Sequence, residues 1–353
     1  MRLISVINAE LGSVLGEAIF TRDGSMMLNQ GVVLTKRYIE KLNQLGIGTI
    51  YIVDDMLQDI KPQDPEFVQI KSNVVKLLSK SFIKLEYKDN KPKLDVMVHT
   101  ITDIVEYLFE HKNINAVHLT EIKTYDNYTY VHSLNTCVIA LFFGMQMSMP
   151  KTKLMDLGMG AILHDVGKTK IPKNILNKPS KLTDEEFEIM KGHSKLGYDL
   201  ISGLKYISDR SKRLVLEHHE RLDGSGYPFG ITDKEISQFG KIVAISDVYD
   251  AIVSDRVYRK GIKGNEAYEF ILGGAGTLFD WELVSIFKNN FSIYPLGTCV
   301  KLSNGQEAFV LRENKGFPDR PVLRVLYDIN RNKIYPYDID LLTKYDLCID
   351  NIV

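Results

Sequence analysis

Five of the chain's eight histidines stand in helical contexts: His132, His164, His193, His218 and His219. That spread constrains the fold more than any other feature. Only an arrangement that brings distant helical segments together can use the five jointly, and their neighbours argue that it does. His164 is followed by Asp165 in LHDVGK, after Leu154, Leu157, Ala161 and Ile162 recur at helical spacing. An adjacent His-Asp pair at a helix end offers an imidazole nitrogen and two carboxylate oxygens to one cavity, and such a carboxylate can bridge two cations. Gly167 permits a tight exit, and Lys168 supplies a cation for a phosphoryl group. His-Asp alone is a common dipeptide, so its weight depends on the rest.

His218 and His219 open the segment HHERLDGSGYP. Neighbouring helical positions point about 100° apart, so an apolar core cannot take both cheaply, and a ligand role for both is preferred to packing. Asp223-Gly224-Ser225-Gly226 is a turn whose amides are expected to approach an anion, closed by Tyr227-Pro228. Without the histidines it would be a plain surface turn. Asp247 interrupts an apolar helix face in AISDVYD. A buried carboxylate there needs a partner or a metal. Asp250, one turn on, either orients a ligand histidine or forms an ordinary salt bridge. His132 and His193 would each be structural if alone. His99, His111 and His118 have no such neighbours and read as surface or packing residues.

The candidate ligands are thus His132, His164, Asp165, His193, His218, His219 and Asp247. Five imidazoles, two carboxylates and no thiolate suit first-row cations such as Mn, Fe, Co, Ni or Zn. The set is too nitrogen-rich for Mg or Ca and too large for one tetrahedral zinc. Two metals are expected.

The rest of the chain is read around this centre. Length, 353 residues, allows two or three domains at roughly 100–200 residues each. Residues 1–55 read as a small α+β module: turn signals at Asp23-Gly24 and Asn29-Gln30-Gly31, a helix capped by Thr35 and stopped by Gly46, and a strand over Thr49–Val53. Residues 56–98 read as a helical connector with an apolar stretch near Val68–Ile83. Residues 99–295 are mainly helical. Thr183 and Glu186 form a capping box for a helix expected to reach His193, and residues 241–258 form another. Cys137–Met149 is apolar but shorter than the about 20 residues a membrane span needs, and reads as a buried helix. Residues 296–353 return to strands, with an Asn304-Gly305 hairpin and a strand over Val322–Tyr327. A net charge of −1 gives no broad basic surface for duplex nucleic acid. Three scattered cysteines and an N-terminus without a leader pattern fit a reduced, cytoplasmic protein.

His164-Asp165-Val-Gly-Lys168, His193, His218-His219-Glu220 and Asp223-Gly-Ser-Gly226-Tyr227-Pro228 resemble the HD-GYP branch of the HD-domain phosphohydrolases over residues 99–295. The resemblance implies a mainly α, HD-type helical bundle, with the N-terminal α+β module and a β appendage after it. It implies a cyclic di-GMP phosphodiesterase with two divalent metals, Fe or Mn favoured and Ni, Co or Zn as alternatives. The family's ligands fall on the seven residues already named, with Asp165 bridging and Lys168 on the scissile phosphate. Arg256 and Arg259 stand where the family holds its substrate, and Gly226, Tyr227 and Pro228 would shape the pocket or carry a surface for a protein partner. A homodimer is compatible with it. The product would be pGpG, then GMP on a second turnover. Some members bind a third metal with a Glu four residues before the first histidine. Tyr128 stands there, with Glu121 and Asp126 at the wrong spacing, so two metals remain the expectation. Another cyclic dinucleotide, or a receptor with little turnover, is the alternative.

Overall fold

The computed structural model describes residues 1–21, 25–61, 64–87, 95–111, 128–253 and 264–353. Contacts divide the described residues into two units, one holding Met1–Pro65 and Phe287–Val353, the other the described residues of 66–286.

In the first unit, β1 (Arg2–Ser5) pairs antiparallel with β4 (Thr49–Ile52), and β2 (Ile19–Phe20) with β3 (Met26–Leu28). Helix α1 (Lys36–Gln44) begins where the Thr35 hydroxyl accepts the Tyr38 N–H at 3.3 Å. It stops before Gly46, whose φ of +74° a glycine adopts without strain. Val6, Leu15, Ile19, Leu34, Leu42 and Ile50 pack beneath these elements. The expected Asp23-Gly24 turn lies outside the described residues. The last residues form one antiparallel sheet in the order β8-β7-β6-β5-β9, from β5 (Cys299–Leu302), β6 (Glu307–Asn314), β7 (Phe317–Tyr327), β8 (Lys333–Asp340) and β9 (Ile349–Ile352). The Asn304-Gly305 signal sits in the β5–β6 hairpin, where Val300 faces Ala308. Within the unit, the Tyr51 hydroxyl donates to the Leu296 carbonyl at 3.1 Å. The Arg324 guanidinium forks onto Asp59 at 2.8 and 2.9 Å.

The second unit is helical: α2 (Pro65–Tyr87), α3 (Asp95–Glu110), α4 (Tyr128–Gln146), α5 (Lys151–Leu163), a 3-10 turn over Val166–Lys170, α6 (Lys173–Leu176), α7 (Asp184–Lys191), α8 (His193–Ser202), α9 (Asp209–Glu217), α10 (Gln238–Val253), α11 (Gly264–Gly273) and α12 (Trp281–Asn290). This is the mainly α fold expected. Helix α4 carries the apolar run, and residues 131–144 are buried on every side, as a helix apolar all round must be. It packs against α5 and α10, while α9 packs against α5, α8 and α10.

The Thr183 capping box forms: the Thr183 hydroxyl accepts the Glu186 N–H, and the Glu186 carboxylate accepts the Thr183 N–H at 2.8 Å. The helix it starts ends at Lys191, short of the expected reach. The Gly192 N–H bonds back to the Ile189 carbonyl at 3.1 Å, a tightened last turn, and His193 opens a separate helix. Helix α10 begins three residues before the expected 241, and the stretch after Val253 lies outside the described residues. No helix among the described residues is long and apolar enough to cross a membrane.

Candidate metal centre

Each expected ligand is delivered by a helix end or a helix face of the second unit. His164 closes α5, His193 opens α8, His218 closes α9 and His219 follows it. His132 lies on α4, and Asp247 and Asp250 lie one turn apart on α10. All are buried except His219, which keeps 17% side-chain exposure.

Helix ends explain how three of the histidines are aimed. The last carbonyls of a helix lack intrahelical partners. Ala161 O near the end of α5 accepts from His164 Nδ1 at 2.7 Å, Met190 O near the end of α7 from His193 Nδ1 at 2.7 Å, and Val215 O near the end of α9 from His218 Nδ1 at 2.9 Å. A carbonyl can only accept, so Nδ1 carries the proton in each case and Nε2 keeps its lone pair. His132 is held differently. Its Nδ1 lies 2.7 Å from Asp250 Oδ2, and Asn135 Nδ2 donates to Asp250 Oδ1 at 2.8 Å. Asp250 therefore orients His132, the first of its two expected roles.

These lone pairs and His132 Nε2 converge on Asp165, with one oxygen to each side. Asp165 Oδ1 is 3.3 Å from His193 Nε2 and 4.0 Å from His218 Nε2; Oδ2 is 3.4 Å from His164 Nε2 and 3.7 Å from His132 Nε2. Two donor groups result, each with its ligand atoms within 4.8 Å of one another: Asp165, His193, His218 and His219 on one side, and His132, His164 and Asp165 on the other. Asp247 joins the second side, 2.9 Å from His132 Nε2, and reaches His219 Nδ1 at 3.7 Å.

This arrangement fits cations. His193 Nε2 and His218 Nε2 lie 3.2 Å apart, and with both Nδ1 atoms protonated these are two facing lone pairs. His164 Nε2 and Asp165 Oδ1 are buried without a hydrogen-bond partner, costly atoms to leave unanswered. The donor set, nitrogen-rich with bridging carboxylate, matches first-row divalent metals. This His/Asp cluster could hold divalent metal ions.

Charge is partitioned across the cluster. Burial pulls His193 down to about 4, against the opposing pull of Asp165. Burial, then neighbouring imidazoles, drive His218 well below the usual histidine value. Burial outweighs Asp247 and lowers His219 likewise. Burial also acts to lower His132, yet Asp247 and Asp250 push it up to about 9. Burial disfavours the charged forms of Asp165 and Asp247, but Lys168 and His164 hold Asp165, and His132 holds Asp247, well below the ordinary carboxylate range. Lys168 Nζ donates to Asp165 Oδ2 at 2.5 Å and keeps 22% side-chain exposure, so it touches both the cluster and solvent. Gly167 is required between them: a Cβ there would collide with the His193 carbonyl.

The loop after His219 is built to hold Tyr227 against the cluster. The buried Glu220 carboxylate accepts the Phe229 N–H at 2.8 Å and the Ile231 N–H at 3.2 Å. A side chain at Gly226 would strike the backbone of His219, Glu220 and Arg221. The Tyr227-Pro228 peptide is cis, and the Tyr227 ring lies 4.6 Å from that of His219. The expected anion contact by the loop amides is overturned for most of them. Asp223, Gly224, Ser225 and Tyr227 donate their N–H groups to Thr277 O, Arg221 O, Asp223 Oδ1 and His219 O. Sequence reasoning quoted Glu220 only as part of the His218-His219-Glu220 motif, with no role, and did not name Asn135. An acid between two ligand histidines and a glycine-rich loop is a signal for the first. Asn135, three residues after His132, is legible only as a neighbour on the same helix face. Arg256 and Arg259 lie outside the described residues, as do Glu121 and Asp126. Tyr128 opens α4.

Comparison with known proteins places these features. The HD-domain family matches residues 89–283, and a KOW domain associated with HD domains matches residues 299–353. A cyclic di-GMP phosphodiesterase of Pseudomonas aeruginosa is 35% identical over 234 residues, 66% of this chain and 56% of the relative. One from Thermotoga maritima is 34% identical over 245 residues, 66% of this chain and 64% of the relative. The match thus spans less than two thirds of either relative's length. The solved structure of an HDG"Y"P protein from Bdellovibrio bacteriovorus superposes with a TM-score of 0.51 at 15% identity, over 81% of this chain and 99% of that one, a likeness of fold.

Proposed function

Because the chain belongs to the HD-domain family, we propose that it is a metal-dependent phosphodiesterase that hydrolyses cyclic di-GMP to pGpG and, on a second turnover, to GMP. One observation carries this: Asp165 turns one oxygen to His193 and His218 and the other to His132 and His164, as a carboxylate shared by two cations requires. Two divalent cations held by the seven ligands would supply positive charge for phosphoryl oxygens and lower the pKa of a water. Mn or Fe suits the donor set.

The chain's own residues supply the rest. Backbone carbonyls fix the His164, His193 and His218 tautomers, so none of these three imidazoles has to rotate or exchange a proton before donating a lone pair. Lys168, held against Asp165 and partly open to solvent, stabilises the negative charge growing on the phosphoryl oxygens. Tyr227 and Pro228 wall the pocket beside His219. Arg256 and Arg259 are assigned to the second phosphate. Three unpaired cysteines support a cytoplasmic location.

The test is direct. Protein purified with Mn or with Fe under reducing conditions is given cyclic di-GMP and the products are separated by chromatography. Accumulation of pGpG is expected. Full metal occupancy with no turnover of cyclic di-GMP would overturn the assignment, and tight binding without product would leave a receptor in its place.

A further inference from the structure

Outside the donor cluster, α7 brings Phe187 and Lys191 to the same margin of the site. They are four residues apart and so neighbours on one helix face. Phe187 is 45% exposed, an apolar ring that folding leaves nearly half in water. It stands edge-on to Tyr227, ring centres 6.4 Å apart at 81°. Tyr227 in turn leans on His219 and lies 6.3 Å from His193. An aromatic path therefore runs from the ligand histidines out to the open ring of Phe187.

Lys191 fixes a cation along this path. Its Nζ is 5.0 Å from the Phe187 ring centre and 5.9 Å from that of Tyr227. Glu188 anchors it at 2.6 Å, which engages one of the three ammonium hydrogens. Neither Phe187 nor Lys191 serves the metals or the cleavage step. A partly exposed aromatic ring with a tethered cation, beside a site assigned to phosphodiester cleavage, matches what a purine base offers. Its π-face stacks on aromatic side chains. Guanine presents two adjacent acceptors, O6 and N7, to a cation, whereas adenine replaces O6 with an amino donor.

Resting on the phosphodiesterase assignment above, we propose that Phe187 and Lys191, with Tyr227, form a purine subsite that holds one base of the cyclic dinucleotide and favours guanine over adenine. Phe187 supplies the stacking surface, and Lys191 supplies the choice of base.

The experiment measures kcat/KM of the Mn-loaded protein for cyclic di-GMP, for cyclic di-AMP and for bis(p-nitrophenyl) phosphate, a diester without a base. It also measures the Kd of the phosphorothioate analogue of cyclic di-GMP by calorimetry. In Phe187→Ala the ratio of kcat/KM for cyclic di-GMP to that for the base-free diester should fall about tenfold, with the analogue's Kd rising by a similar factor. Phe187→Trp should restore both. In Lys191→Met the preference for cyclic di-GMP over cyclic di-AMP should shrink about tenfold. If wild type cleaves cyclic di-GMP and both variants keep its ratios and Kd, the subsite is wrong and the enzyme assignment stands. If wild type cleaves only the base-free diester and does not bind the analogue, both fall. If it binds the analogue without cleaving cyclic di-GMP, the enzyme assignment fails and the Kd values alone decide the subsite.

Discussion

Asp165 in the helical unit and Glu313 in the β-rich unit are both carboxylates shut away from water, and they end up in opposite states. Burial disfavours the charge of both. At Asp165, Lys168 and the surrounding imidazoles answer it and hold the group ionised. At Glu313 no cation answers the burial: only a hydrogen bond with Ser292 opposes it, and burial pushes the group up to about 7. Burial alone therefore does not mark a working acid. What marks it is the set of charges and lone pairs arranged around it, and removing members of that set should reveal how the two sites differ.

The largest effect is expected from Asp165→Ala. Both donor groups lose their shared member, so metal content should fall on both sides and kcat/KM for cyclic di-GMP by about a thousandfold or more, roughly 4 kcal/mol of transition-state stabilisation. Elemental analysis beside initial rates checks it. Retention of both metals would break the bridging assignment. Lys168→Met comes next. The cation that both stabilises ionised Asp165 and is partly open to solvent is gone while shape is nearly kept. A fall in kcat of about a hundredfold is expected, the scale of one lost donor to a transition-state oxyanion. A change confined to KM would move Lys168 from transition-state stabilisation to simple binding. Asp250→Asn is smaller still. It keeps an oxygen for His132 Nδ1 but removes the charge, so metal affinity on the His132 side alone should weaken about 10–100-fold. A two-site metal titration would show one affinity moved and one unmoved. Equal weakening of both would mean that Asp250 supports the whole cluster.

Much of this was legible in the sequence because it rests on local patterns. The His164-Asp165 pair, the His218-His219 pair and the Thr183 capping box each announce themselves within a few residues, and helical spacing places the apolar faces behind them. Two things were not legible. The break at Gly192 depends on a tightened turn that no spacing rule signals, yet it is what brings His193 within reach of the Met190 carbonyl. The second is any contact between segments far apart in the chain. The fork of Arg324 onto Asp59 joins positions 265 residues apart, and the hold of Asp250 on His132 joins positions 118 apart. Residue type narrowed the role of Asp250 to two choices, and only the fold could decide between them.

The smallest effect separates the two carboxylates most cleanly. Glu313 has a folded-state pKa of about 7 against an ordinary 4.5. Between those values the unfolded chain has released the proton while the folded chain retains it. Stability therefore falls as pH rises from 4.5 towards 7 and levels off above, since it declines wherever the native state binds more protons. Asp165 has the opposite sign: with its folded pKa depressed, its contribution is complete above the ordinary value and is lost only on strong acidification. Glu313→Gln keeps the shape and removes the titration. At pH 8 it should stabilise the protein by about 1–3 kcal/mol, the scale of the linkage between a folded pKa of about 7 and the ordinary value. At pH 4.5 it should do almost nothing, and its turnover of cyclic di-GMP should equal that of wild type. Urea unfolding of the two proteins at both pH values measures this. A gain of equal size at pH 4.5 and 8 would show that Glu313 is not protonated in the fold, and the contrast with Asp165 would fail.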